Sequence, residues 1–161
     1  MSTMQSTQKR AGKYLTFQLG SEGYGIPIGK VKSIIGYMDI TAVPRTPPHV
    51  RGVINLRGQV ISVIDLRSRL GMPTTERTDE TCIVVVETQK GSRIVNTGLI
   101  VDKVSEVPHI PEDAIEDAPE FGSTVETQFI LGMAKINSTV KILLDIDRIV
   151  RTGDDLSSEN M

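Results

Sequence analysis

The sequence predicts an all-β fold built from two copies of one small unit. Three observations carry this expectation: an aliphatic, aromatic-poor composition, a series of short apolar runs divided by turn residues, and a pattern that occurs twice along the chain. The 161 residues are 39% hydrophobic and 24% charged, with no Trp, three Phe and three Tyr. A core must therefore rest on Val, Ile and Leu, and β-branched side chains pack well on a pleated surface. The length fits one compact domain or two very small ones.

The elements follow in chain order. Residues 1–12 are polar and rich in Ser, Thr, Gln and Lys, which predicts disorder and offers no signal-peptide core. Strands are expected at Tyr14–Leu19, Gly25–Ile28, Val31–Tyr37, Gly52–Leu56, Gln59–Ile64, Cys82–Thr88, Arg93–Val101, Val104–Val107, Ile130–Ile136 and Val140–Leu144. Each has an ordinary strand length, and Gly, Pro, Asp or Asn stands between them, as in a barrel or sandwich. Val43–Val50 is a loop, because its prolines deny donors to a ladder. Asp65 is placed to cap a helical turn at Leu66–Leu70, which Gly71 would end. Residues 151–161 are a polar tail.

The repeat is read directly. Gly52–Leu70 is GVINLRGQVISVIDLRSRL, and Gly132–Val150 is GMAKINSTVKILLDIDRIV. Gly aligns with Gly, Leu56 with Ile136, Val60 with Val140 and Asp65 with Asp145. Gly25–Ile34 similarly matches Gly98–Val107. The acidic loop Pro111–Gln128 absorbs a small difference between the two offsets. One copy is too small for a large core of its own, so the copies should share apolar surface.

Arg57-Gly58 and Asn137-Ser138 sit between paired runs as hairpin tips, where positive φ is commonly required. Arg57 at a tip is either a solubilising charge or a contact anchor, since a planar donor fork on an apolar stem suits interfaces. Phe121, beside Pro119 in an aromatic-poor chain, is either a core plug or an interface anchor.

Several function classes are disfavoured. A net charge of −2 and a pI of about 5.7 argue against a nucleic-acid binder. Gly23-Tyr24-Gly25 lacks the third glycine of a dinucleotide loop, and Gly29-Lys30 lacks the first glycine and the hydroxyl of a phosphate loop. His49 and His109 lie beside prolines without metal-ligand spacing and are expected at the surface. The single Cys82 excludes an internal disulfide, fits a reducing compartment and is expected as a small buried thiol. The acidic cluster Glu112, Asp113, Glu116, Asp117 and Glu120 lacks calcium-loop spacing and reads as a solvated loop. No apolar run is long enough to span a bilayer.

Arg51-Gly52-Val53-Ile54-Asn55-Leu56-Arg57-Gly58, continuing into Val60–Arg67, closely resembles the CheW family of chemotaxis adaptors. So do Tyr24-Gly25-Ile26, Lys30-Val31, Thr41–Pro44, Gly98–Asp102 with Val104, and Ala118–Phe121. The likeness runs from about Lys13 to Val150. It implies two small five-stranded SH3-like barrels packed pseudo-symmetrically, with short helical turns. Their bounds would be about 13–80 and 81–150, with terminal strands free to cross over. It further implies a non-enzymatic protein without cofactor or catalytic or metal residues. Such a protein links methyl-accepting chemotaxis receptors to the regulatory domain of the histidine kinase CheA. It would be cytoplasmic, recruited to membrane receptor arrays, a monomer alone, and without membrane insertion or nucleic-acid partner. By position, Ile28, Val31, Gly52, Arg57 and Gly98 match receptor-binding positions, and Glu120 and Phe121 match a kinase contact. Ser33 stands where many members carry an acid, Ser62 where a Pro is common, and Gly29 where a larger residue is usual. The alternatives are an adaptor of a non-swimming receptor–kinase system, a small-barrel oligonucleotide binder and an enzyme with an unrecognised site. The second needs exposed aromatics and basic grooves, which are scarce here.

Overall fold

The computed structural model describes residues 10–119 and 126–150. The strands are β1 (Gly12–Leu19), β2 (Glu22–Pro27), β3 (Val31–Gly36), β4 (Val50–Leu56), β5 (Gln59–Asp65), β6 (Cys82–Lys90) and β7 (Arg93–Val101). They continue as β8 (Lys103–Val104), β9 (His109–Ile110), β10 (Ile115–Glu116), β11 (Ile130–Ile136) and β12 (Thr139–Leu144). Two short helices, α1 (Leu66–Arg69) and α2 (residues 146–150), follow the hairpins β4–β5 and β11–β12. No helix among the described residues is long and apolar enough to cross a membrane.

Strand pairing does not divide the chain at residue 80. One barrel is continuous, residues 31–101, in the order β3-β6-β7-β5-β4. The other takes β1 and β2 from the start of the chain and the rest from residues 103–144, in the order β10-β11-β12-β2-β1-β8. The chain thus passes between barrels twice, through the 3-10 turn Ile28–Lys30 and at Asp102. β1 begins at Gly12, and Arg10 binds Asp117 at 2.9 Å and the Leu131 carbonyl at 3.1 Å. Residues 10–12, ahead of Lys13, are therefore part of the fold.

The duplication is present in register. Parallel β5 and β7 place Val63 opposite Gly98, and parallel β12 and β2 place Leu143 opposite Gly25. A Cβ on Gly98 would lie 2.8 Å from Ile83 Cγ2, and one on Gly25 would lie 3.1 Å from Leu143 Cδ2. Both glycines make room for a neighbouring side chain, Gly98 for Ile83 of β6 and Gly25 for Leu143 of β12. Asp65 accepts from the Ser68 N–H at 3.4 Å and Asp145 from the Arg148 N–H at 3.3 Å, capping α1 and α2 alike.

One fifth strand differs from expectation. The run Val104–Val107 pairs regularly only at Lys103–Val104. Beyond it, Ser105 donates to the Thr16 carbonyl and Thr16 donates to the Glu106 carbonyl, each at 2.8 Å, in irregular register. Pro108 and Pro111 have no N–H to donate, so this edge breaks into the two-residue pieces β8, β9 and β10.

Period-two alternation sorts the side chains into three cores. Ile83 and Val85 of β6 join Ile54, Ile61 and Val63 inside the first barrel. Val84 and Val86 face the opposite way, into a shared core with Leu15, Phe17, Leu19, Leu99, Phe129 and Leu144. Tyr14, Ile110, Ile115, Ala134 and Leu143 fill the second barrel. β6 is buried on both faces, which is why it reads as a continuous apolar run rather than an alternating one. Cys82 sits at its start, half-buried, with its thiol 3.2 Å from the Glu80 carbonyl, rather than in the strand interior.

Both hairpin tips adopt left-handed backbone: φ is 53° at Arg57 and 87° at Gly58, 49° at Asn137 and 71° at Ser138. These are the primed turns that match strand twist. Serine carries a Cβ penalty at such a φ that glycine lacks. Ser138→Gly is therefore expected to stabilise the protein by about 0.5 kcal/mol, after the entropy of glycine is subtracted. Urea unfolding checks this, and a lowered midpoint would contradict it.

Candidate functional site

Ile28 and Val31 flank the first passage between barrels, and both are half-buried against the shared core. Between them, Lys30 pairs with Asp147 of α2 at 2.9 Å, latching the passage to the second barrel. Next to this turn runs an open groove of about 480 Å³, lined by Pro27, Gly29, Lys30, Glu87, Thr88, Gln89 and Ile94. Ile94 is 63% exposed, a large apolar side chain offered to solvent at the groove wall. Lys32 and Glu87 form an ion pair of 3.6 Å across β3 and β6. Ser33 on β3 has a buried Oγ without a hydrogen-bond partner. Ile94 and this groove are not legible in the sequence, because the wall comes from a hairpin distant in the chain. Its only local signal was an apolar residue beside the Gly91-Ser92 turn.

Arg57 stands elsewhere, at the β4–β5 tip, and β4 lies at the opposite end of the strand order from β3. It is exposed, and the tip is held in shape by the Gly58 N–H donating to Asn55 Oδ1 at 2.8 Å. Val60 beside it is 67% exposed. An arginine at φ 53° is strained by about 1 kcal/mol where the second copy uses the more tolerant Asn137. The turn thus holds a charged side chain out to solvent at the cost of local strain.

Gly52 and Gly98 are buried and offer no side chain to a partner. Gly52 has φ 145°, and a Cβ there would lie 2.0 Å from the Thr41 carbonyl oxygen. It lets the loop before β4 bond to the strand through Thr41 N–H to Val53 O and Val53 N–H to Thr41 O, each 2.9 Å. These two glycines shape the surface from beneath. Glu120 and Phe121 lie outside the described residues.

A polar cleft of about 460 Å³ lies under residues 75–81, lined among others by Tyr37, Arg51, Asp65, Arg67, Arg77 and Asp102. Two of its carboxylates are engaged: Arg67 meets Asp102 at 2.6 Å and Arg51 meets Asp65 at 3.5 Å. The hydrogen bond from Arg67 holds the Asp102 carboxyl below its ordinary range, helped by the Gly20 N–H. Arg77 stacks on Tyr37, 4.6 Å from the ring centroid. Among the described residues no group of three His, Cys, Asp or Glu side chains could hold a metal ion.

His109 is exposed as expected, but His49 is buried. Its carbonyl accepts the Asp65 N–H at 2.8 Å, so the cap that starts α1 draws the histidine inward. The described part of the acidic loop is solvated as expected, with Glu112, Asp113, Glu116 and Asp117 all exposed, and Arg10 pairs with Glu112 at 3.6 Å and Asp117 at 2.9 Å.

Residues 13–153 match the family described as CheW-like domain. The chain is 36% identical to the chemotaxis protein CheW of Klebsiella aerogenes, over 100% of this chain and 94% of that protein. It is 41% identical to the chemotaxis protein CheW of Bacillus subtilis over 73% of this chain and 72% of that one. The crystal structure of the scaffolding protein TtCheW from Thermoanaerobacter tengcongensis superimposes with a TM-score of 0.77 at 34% identity, covering 89% of this chain and 90% of that one.

Proposed function

Because the chain belongs to the CheW-like domain family, we propose that it is a non-enzymatic adaptor coupling methyl-accepting chemotaxis receptors to the histidine kinase CheA. The groove at the first passage between barrels carries this reading. It is open, about 480 Å³, walled by the exposed Ile94 and floored by the turn Pro27, Gly29 and Lys30, with Ile28 and Val31 half-buried against the shared core next to it. An amphipathic helix laid into such a groove anchors through apolar residues on one face. The receptor tip is the proposed occupant, with Ile28 and Val31 as apolar contacts and Arg57 as a charged anchor on the same barrel. Gly52 and Gly98 act by permitting the backbone approaches that shape this barrel. The proposed kinase contact is made by Glu120 and Phe121, which follow β10 in sequence and lie outside the described residues.

The adaptor changes no bonds. It holds receptor and kinase in one geometry, so a receptor movement biases a two-state kinase equilibrium. Couplings of this kind are commonly about 1–3 kcal/mol, or roughly 5–150-fold. The working place would be the cytoplasmic side of receptor arrays, reached by binding rather than by insertion.

Arg57→Glu tests the anchor. The side chain is exposed and among the described residues no ion pair depends on it, so stability should change by no more than about 0.5 kcal/mol. Co-sedimentation with receptor-bearing vesicles should weaken about tenfold, a loss near 1.4 kcal/mol. Unchanged co-sedimentation would remove Arg57 from the receptor contact.

A further inference from the structure

His49 is where the two copies differ most in chemistry. The second copy holds Phe129 at the same place, and the backbone does the same work in both. Asp65 N–H donates to the His49 carbonyl at 2.8 Å, and Asp145 N–H donates to the Phe129 carbonyl at 2.7 Å. Phe129 is fully buried in the shared core, where an apolar ring is at ease. His49 is only 7% exposed, yet its Nε2 has no hydrogen-bond partner.

Arg69 makes the setting less favourable still. It reaches from α1 across the seam, 4.7 Å above the Phe129 ring, with its Nε donating to the Ile149 carbonyl at 3.2 Å. Its Nη2 is buried and also lacks a partner. The other charged groups on the surrounding elements are Arg51 on β4, Asp65 and Arg67 at α1, and Asp145, Asp147 and Arg148 at α2; Arg67 is paired with Asp102 at 2.6 Å and Asp147 with Lys30 at 2.9 Å. Asp65 is held by Arg51 at 3.5 Å and by the Ser68 N–H, and Asp145 by Arg148 at 3.6 Å. Neither carboxylate is left to neutralise a second cation beside Arg69.

We propose that His49 makes the seam between the barrels acid-labile on the first-barrel side, because a protonated imidazole would be a second buried cation beside Arg69. The proposal is independent of what occupies the groove. Burial, and then the Arg69 charge, push the His49 pKa below its ordinary value. The unfolded chain therefore binds a proton more readily than the folded one. The contribution of neutral His49 is complete above about pH 6.5 and is lost progressively as the pH falls below that value.

The repeat supplies its own control. Residue-resolved hydrogen exchange, corrected for intrinsic rates, compares the Asp65 and Asp145 amides at pH 7.5 and 5.5. Titrating carboxylates elsewhere act on both amides. Protection at Asp65 should fall about threefold or more relative to Asp145, and His49→Phe should abolish that difference. His49→Gln, which keeps a polar side chain but takes up no proton, should abolish it too. An equal fall at both amides, or a difference that survives in either variant, would overturn the proposal.

Discussion

Gly52→Ala is expected to cost the protein about 3 kcal/mol or more, a large part of the 5–15 kcal/mol that holds a small domain together. A Cβ at this position meets only backbone: the Thr41 oxygen at 2.0 Å, the Thr41 carbonyl carbon at 2.7 Å and the Ala42 Cα at 3.0 Å. None of these can rotate away as a side-chain end could. The loop must move, breaking the paired Thr41–Val53 hydrogen bonds, each worth about 1 kcal/mol net. A φ of 145° adds strain for any L side chain. Gly132 is the counterpart in the second copy. There the nearest atoms are Ile115 Cγ2 at 2.8 Å, the Glu116 carbonyl at 3.0 Å and Arg10 Nη1 at 3.1 Å, and two of the three are side-chain atoms. Gly132→Ala should therefore be the milder change, at about 1–2 kcal/mol. Urea unfolding of both variants measures the contrast. A Gly52→Ala protein of normal stability that fails to bind receptor would make Gly52 a contact instead of a support.

Phe129→Ala carries the second large effect, a loss of about 3–5 kcal/mol. The ring is fully buried in the core that both barrels share. Its removal leaves a cavity and strips the Arg69 guanidinium of the aromatic face 4.7 Å beneath it. Because β1, β6, α1 and α2 all contribute to that core, the barrels should lose stability as one unit. Calorimetry or paired hydrogen-exchange probes in β5 and β12 would show this. Two separated transitions, with only the second barrel weakened, would contradict a shared core.

The strands were legible because period and turn chemistry are local. Glycine, proline and asparagine mark the ends of the apolar runs, and Asp65 and Asp145 announce the helical turns. The duplication was legible because Gly25 and Gly98 hold equivalent places against Leu143 and Val63. Which hairpin fills which barrel was not legible. By register, β2 and β7 are alike, and the choice between them rests on packing of Phe17, Tyr24, Val84 and Val86 in three dimensions. Hence the first barrel runs from residue 31 to 101, and β1 and β2 are the terminal strands that cross over to the second. His49 escaped because a neighbouring proline suggests a surface loop, while its burial follows from a hydrogen bond to a cap sixteen positions along, Asp65. At the site, Arg57 was visible as a tip residue, but its strained φ of 53° was not. The groove wall at Ile94 depends on a strand pairing that no local pattern reveals.

The central claim is that this chain couples a receptor to a kinase without chemistry of its own. The direct measurement is the CheA autophosphorylation rate on receptor-bearing vesicles, with wild-type protein, with Arg57→Glu and without either. The account predicts strong activation that requires receptor and wild-type protein together and is reversed by the receptor's attractant. It predicts a large loss of activation with Arg57→Glu, though the variant remains folded. A kinase rate unchanged by adding the wild-type protein, in the presence of a receptor that its own adaptor can activate, would contradict the account.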